Sequence, residues 1–131
     1  MSTQNIPPAI VNKVKQLGPE VEAAFKRALK GGVKIAFGTD SGVSPHGMNA
    51  REFELLVEYG MKPADAIKAA TVNASDLLGM SSSLGTIESG KFADIIAVSE
   101  DPVKNISILK DIQFVMKEGK VYKSGGKAVI E

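Results

Sequence analysis

An α/β fold that gives way to a run of strands is the class this sequence predicts, and three observations predict it. Residues 33–38 alternate Val33, Ile35 and Phe37 with Lys34, Ala36 and Gly38, the period-2 pattern of a short strand. A helical pattern closed by Gly31-Gly32 precedes them, and the polar loop Gly38-Thr39-Asp40-Ser41-Gly42 follows. Helix, glycine pair, strand and glycine loop are the punctuation of a parallel sheet. From Ser81 onward strand patterns succeed one another with almost no helix. Residues 1–80 are thus expected as βα material and residues 81–131 as a β-rich portion.

Taken in order, residues 1–7 are polar and run into Pro7-Pro8, which predicts an extended arm. Pro8 can open a short helix over 9–16, with Ile10, Val11 and Val14 on one face. Gly18 is expected to stop it. Pro19 then opens a second helix, with Glu20 and Glu22 in the first turn, where negative charge suits the helix dipole. Val21, Ala24, Phe25 and Ala28 give that helix its apolar face, and Gly31-Gly32 its end. After the loop, Asn49 is a candidate cap for a helix over 50–59, with Phe53, Leu56 and Val57 inward and Gly60 closing it. Pro63 opens another helix to about residue 70, with Ala64, Ile67 and Ala70 inward. Residues 71–74 either continue or break it, and Asn73 or Ser75 can cap a last turn ending at Gly79. Residues 86–91 read as a short strand and turn, and 93–99 as a strand broken by Asp101-Pro102. Residues 106–109 are ambiguous. Residues 112–116 and 120–123 flank Lys117-Glu118-Gly119 as a β-hairpin, and the tail 124–127 reads as loose.

The chemistry concentrates after the first strand. A carboxylate fixed beyond the end of a buried strand, on a loop that glycine lets turn sharply, is well placed to meet a ligand. Asp40 holds that position, and the only histidine, His46, follows it on the same loop. On the residues alone, Asp beside Gly is ordinary turn chemistry, and His46 between Pro45 and Gly47 is an ordinary loop histidine. Ser41 reads as backbone support, because no Ser, His and Asp arrangement argues for a nucleophile.

Composition narrows the classes. The 131 residues are 44% hydrophobic and 24% charged, which fits one globular domain. Sixteen basic against 15 acidic residues give a net charge of +1, no reason to expect nucleic acid or an anionic membrane surface. With no cysteine, disulfides and thiolate metal sites are excluded. Neither a signal-peptide core nor an apolar run of membrane-spanning length is visible, so a cytoplasmic setting is expected. No GxxxxGK[ST] phosphate loop is present.

Four blocks, taken together, resemble a known family. They are Gly32-Val33-Lys34-Ile35-Ala36-Phe37-Gly38-Thr39-Asp40-Ser41-Gly42; Pro45-His46-Gly47 with Asn49-Ala50-Arg51-Glu52; Gly60-Met61-Lys62-Pro63-Ala64-Asp65-Ala66-Ile67 leading to Ala69-Ala70-Thr71-Val72-Asn73-Ala74; and Leu84-Gly85-Thr86-Ile87-Glu88-Ser89-Gly90-Lys91-Phe92-Ala93-Asp94-Ile95. Their order and content resemble the C-terminal part of metal-dependent amidohydrolases, in the imidazolonepropionase-like and prolidase-like (Xaa-Pro dipeptidase) branch. The resemblance implies the last strand and helices of a (β/α)8 TIM barrel over 1–80. It implies the C-terminal share of a small composite β-sandwich over 81–131. It also implies that Asp40 sits at the mouth of the eighth barrel strand, where sites of this barrel lie. There it would be catalytic, as metal ligand and proton acceptor for metal-bound water, with His46 facing the substrate. The implied cofactor is a divalent metal, zinc by preference. The implied substrates are dipeptides or cyclic amides.

The departures from the family pattern are as informative. Its remaining metal ligands come from earlier barrel strands, and a whole barrel takes about 250 residues. A catalytic zinc takes about three protein ligands plus water, whereas this chain offers Asp40 and His46 in the right region. The expectation is therefore the C-terminal portion of an amide-hydrolysing enzyme, inactive as this chain alone. The competing reading is a non-catalytic domain that forms homo-oligomers or docks on a partner such as the remaining barrel. A third, an aspartic-protease half built on Asp40-Ser41-Gly42, conflicts with the helices expected on both sides of the motif.

Overall fold

The computed structural model describes residues 7–42 and 47–129. The N-terminal arm and His46 lie outside the described residues. The chain divides into two compact units, up to Val33 and from Lys34 onward.

The first unit is one helix, α1 (Pro8–Lys30), where two were expected. Neither Gly18 nor Pro19 ends it. Pro19 lacks an N–H and so removes one rung of the ladder. The apolar residues Ile10, Val14, Leu17 and Val21 nevertheless keep helical spacing straight through the pair. That stripe is exposed, between 43% for Leu17 and 65% for Val21, and no residue of α1 is buried. The expected inward face at Val21 and Ala24 is therefore not one. The end is as expected: Gly32 adopts φ 70°, its N–H reaches the Leu29 carbonyl, and the Val33 N–H reaches that of Ala28. This is a Schellman closure.

The second unit begins at Lys34, inside the expected strand over 33–38, which has no strand partner among the described residues and is not a strand. A strand is a relation between two backbones, and here the bonds go elsewhere. The Phe37 N–H donates to the Ala69 carbonyl at 3.0 Å, and the Asn73 side-chain amide donates to the Ile35 carbonyl at 2.8 Å.

Three short helices follow: α2 (Arg51–Glu58), α3 (Pro63–Ala70) and α4 (Val72–Leu77). Asn49 does not cap α2, which has no side-chain cap; its amide is turned toward the Thr39 hydroxyl at 3.4 Å. Pro63 starts α3 as expected, and Lys62 before it supplies no cap. The buried face of α3 is Ala66 and Ala69 rather than Ala64, Ile67 and Ala70. The Ala69 carbonyl is bonded to Phe37, which turns that side of the helix inward. Thr71, at φ −121° and ψ −87°, breaks α3 from α4, and its hydroxyl donates back to the Ile67 carbonyl. Gly60 and Gly79 close α2 and α4 with positive φ and the same paired bonds that close α1.

Residues 81–94 form a loop and turns, with no strand at 86–91. Lys91 fixes it by donating to the Ser81 carbonyl at 2.7 Å and the Thr86 hydroxyl at 2.6 Å, with Glu88 at 3.5 Å. These contacts, with the Phe92 N–H donating to the Ser83 carbonyl at 3.0 Å, brace the loop without a ladder. Gly85 sits at φ 92°, and a Cβ there would lie 2.3 Å from the Ser75 hydroxyl oxygen and 3.1 Å from the Thr71 carbonyl.

The remainder is a four-stranded antiparallel meander: β1 (Ile95–Ala97), β2 (Phe114–Lys117), β3 (Lys120–Ser124) and β4 (Lys127–Ala128). Ile96 faces Val115, Met116 faces Val121 and Ser124 faces Lys127 across the ladders. The expected β2–β3 hairpin turns at Glu118-Gly119, both with positive φ (49° and 80°), as its tight turn requires. The tail expected to be loose makes a second such turn at Gly125-Gly126 and returns as β4. The ambiguous residues form a 3-10 helix, Ile106–Lys110, between β1 and β2. Its Ser107 hydroxyl and Lys110 ammonium both reach Glu54 of α2, at 2.5 and 2.7 Å. The core of this unit is Leu56, Met61, Ala66, Ala69, Ile106 and Leu109, so the Glu54 pair tethers its two apolar sources together. No helix among the described residues is long and apolar enough to cross a membrane.

This packing makes two predictions about stability. Gly85→Ala carries the left-handed backbone penalty of about 1–2 kcal/mol plus an overpacking cost of about 1–3 kcal/mol. Gly90→Ala, also at positive φ but with nothing within 4 Å of its Cβ, carries the first cost alone. Urea unfolding should therefore rank Gly85→Ala well below Gly90→Ala. The second concerns pH. The hydrogen bond from Lys110, then that from Ser107, holds the Glu54 carboxyl below its ordinary pKa, and the hydrogen bond from Lys34 does the same for Asp76. A depressed folded-state pKa gives stability that is full above the ordinary carboxylate range and lost as pH falls through the folded value. The unfolding midpoint should fall on acidification below that range, and Glu54→Gln should flatten the fall; an unchanged acid limb would refute the role of Glu54.

Candidate functional site

The site is built from the end of the segment that α3 and α4 hold. The Phe37 ring lies against that of Phe53 in α2, centroids 4.4 Å apart and planes at 31°. Lys34 pairs with Asp76 of α4. These contacts, with the two backbone bonds from Ala69 and Asn73, fix residues 34–37 from one side. The chain then leaves through Thr39, whose hydroxyl lies 3.4 Å from the Asn49 amide, into Asp40.

Asp40 adopts φ 47°, a left-handed conformation uncommon outside glycine, and its side chain is exposed. Asp tolerates this backbone better than most residues, though at a cost, and such conformations gather at functional positions. A carboxylate so placed can accept a proton or give one oxygen ligand to a cation. Among the described residues no three His, Cys, Asp or Glu side chains group so as to hold a metal ion. Asp40 is thus one donor, and the described residues by themselves do not fit a complete metal centre. His46, the expected substrate contact, lies outside the described residues.

Elsewhere, an apolar cleft of about 400 Å³ is lined by Leu78, Leu84, Ile87, Phe92 and Ile96 among others. Asp40 is not in its wall, and among the described residues the one carboxylate lining it is that of Asp94. It offers apolar surface rather than reactive groups. Sequence reasoning missed the roles of Asn73 and Lys91. Both lie in the quoted blocks, but the bonds they make join residues far apart in the chain or several carbonyls of one loop, which no local periodicity encodes.

The Amidohydrolase family model matches residues 8–124. Ochratoxinase of Aspergillus niger is 39% identical over 119 residues, covering 87% of this chain and 24% of that protein. Imidazolonepropionase of Thermoplasma volcanium is 37% identical over 90 residues, covering 66% of this chain and 22% of that protein. The crystal structure of a Xaa-Pro dipeptidase with methionine bound in its active site superposes with a TM-score of 0.86 at 44% identity, over 91% of this chain and 29% of that one. The chain therefore spans about a quarter of the length of the relatives it matches. With the family model spanning nearly the whole sequence, and an imidazolonepropionase and a Xaa-Pro dipeptidase among its matches, the chain belongs to the amidohydrolase family, in its imidazolonepropionase- and prolidase-like branch.

Proposed function

We propose that this chain is the C-terminal portion of a metal-dependent amidohydrolase that cleaves amide C–N bonds of small substrates such as dipeptides or cyclic amides. Residues 1–80 would contribute the last strand and helices of the TIM barrel, and 81–131 the C-terminal share of a composite β-sandwich. The observation that carries the reading is the position of Asp40. It is an exposed carboxylate on left-handed backbone, directly after a segment held by helices, in a chain matched to the family over 8–124. Asp40 is then a metal ligand and general base, and His46 a substrate contact. A zinc centre needs about three protein ligands, and a divalent metal, zinc by preference, would draw the others from polypeptide matching the rest of the relatives' length. The setting is cytoplasmic.

A chimaera tests this reading. Residues 8–124 replace the matching segment of the Xaa-Pro dipeptidase, and dipeptide hydrolysis is measured with and without Asp40→Asn. Amide hydrolysis that falls roughly 10²-fold or more in the variant is expected, the scale of a lost general base. A chimaera that folds but shows no dependence on Asp40 overturns the assignment. The 131-residue chain itself should turn over no dipeptide; stoichiometric tight zinc and turnover would overturn its incompleteness.

The second reading is a non-catalytic domain that self-associates or docks on a partner. It is favoured by exposed apolar side chains, Leu77 at 76%, Leu78 at 68% and Ile87 at 82%. Leu78 and Ile87 line one cleft with Phe92 and Ile96, and contiguous exposed apolar surface marks contact sites. Size-exclusion chromatography with light scattering should show a concentration-dependent oligomer; a compact monomer at high concentration argues against self-association.

A further inference from the structure

We propose that Asn73 is a positioning residue for Asp40, acting through the backbone of residues 35–37. The inference rests on the reading of Asp40 as the site carboxylate, but its test does not depend on metal or substrate.

The segment leading to Asp40 has no strand beside it among the described residues, so its carbonyls and N–H groups must be satisfied individually. For the Phe37 N–H and the Ile35 carbonyl the partners both come from the α3–α4 break. One is the helix-end carbonyl of Ala69, which accepts from the Phe37 N–H at 3.0 Å. The other is the side-chain amide of Asn73, which donates to the half-buried Ile35 carbonyl at 2.8 Å. The break at Thr71 frees the first and orients the second. Thr71 turns the chain at φ −121° and ψ −87°, its hydroxyl occupies the Ile67 carbonyl, and α4 restarts with Asn73 in its first turn. Asn73 is not the N-cap of α4, whose cap position is Thr71, and its amide is aimed across the chain instead. An amide donor of this reach is what an isolated carbonyl requires. Loss of it leaves the Ile35 carbonyl unpaired in a partly dry setting, frees the backbone between Ile35 and Phe37, and so loosens the base on which the strained Asp40 conformation stands.

The experiment uses the full chain with Asn73→Ala and Asn73→Asp. The carboxylate of Asn73→Asp is isosteric with the amide, and its negative charge in the first turn of α4 suits the helix dipole, so the helix is not weakened. Two quantities are read by NMR: amide-exchange protection of Phe37, and the Asp40 amide-to-Hα coupling that reports its φ. At neutral pH both variants should lower Phe37 protection by roughly fivefold or more and shift the Asp40 coupling. Protection at Leu56, Ala66 and Ala69 should hold. As pH falls through the carboxylate range, the carboxyl introduced by Asn73→Asp gains a proton and with it an O–H donor. The ratio of Phe37 protection in Asn73→Asp to that in Asn73→Ala at the same pH should then rise, which a loss of packing cannot produce. Should Asn73→Ala unfold, the ratio of Phe37 protection in Asn73→Asp to that in the unsubstituted chain at the same pH replaces it and should likewise rise on acidification. Wild-type Phe37 protection and Asp40 coupling in both variants would overturn the proposal. So would a loss spread evenly over α2 and α3, or a ratio that does not respond to acid.

Discussion

The Phe37 N–H bonded to the Ala69 carbonyl, and the Ile35 carbonyl bonded to the Asn73 amide, hold the segment that ends in Asp40 against a helix break. Each bond contributes about 1 kcal/mol net, but leaving a buried partner unmade costs about 1–3 kcal/mol. The asymmetry matters more than the gain. A backbone carrying this alternating apolar pattern, with no strand paired along it among the described residues, would otherwise be free to slip or splay. Phe37 adds ring contact with Phe53, and Lys34 adds its pair with Asp76, so the segment is held at both its backbone and its side chains. Asp40 then begins where that restraint stops, which is why its unusual φ can persist on an exposed loop.

Much of the fold was legible because its punctuation is local. Gly32, Gly60 and Gly79 each sit just past a helix and accept the left-handed turn that returns two N–H groups to the last carbonyls. Glu118-Gly119 specifies its hairpin for the same steric reason. Pro63 opens α3 because a first-turn residue has no use for its N–H. Each of these signals is complete within a few residues.

The misreadings share the opposite property. Gly18-Pro19 is a strong local stop, yet the helical spacing of Ile10, Val14, Leu17 and Val21 crosses it unbroken, and continuous periodicity outweighs one lost rung. Asn49 has the right chemistry for a cap, but its amide meets Thr39, a loop residue whose place is set by the segment before it. The inward face of α3 was misplaced by about one residue, because the partner that selects Ala69 is the backbone of Phe37 and not an apolar stripe. At the candidate site, the sharp turn of the backbone at Asp40 was legible from its glycine-flanked polar loop. The Asn73 and Lys91 bonds were not, since a donor's target cannot be read from its own neighbourhood.

The distribution of apolar surface ties these observations together. The second unit buries a modest set of large side chains, Leu56, Met61, Ile106 and Leu109, with two alanines between them. Ile87, Leu77, Leu78, Ile96 and Phe92 stay in water, the last at 51%. Fully burying one such side chain is worth about 1.5–3 kcal/mol, so a surface covering several of them would contribute on the scale of a whole domain's stability. The outer edge of β1 points the same way: β2 pairs its other edge, and among the described residues no strand covers this one, which lies beside the apolar cleft and is a template for pairing. The geometry around Asp40 needs none of that surface: its restraints are hydrogen bonds and one ring pair, all made within the second unit. The local placement of the carboxylate and the exposure of the apolar faces are therefore separable: the described residues fix the first without burying the second.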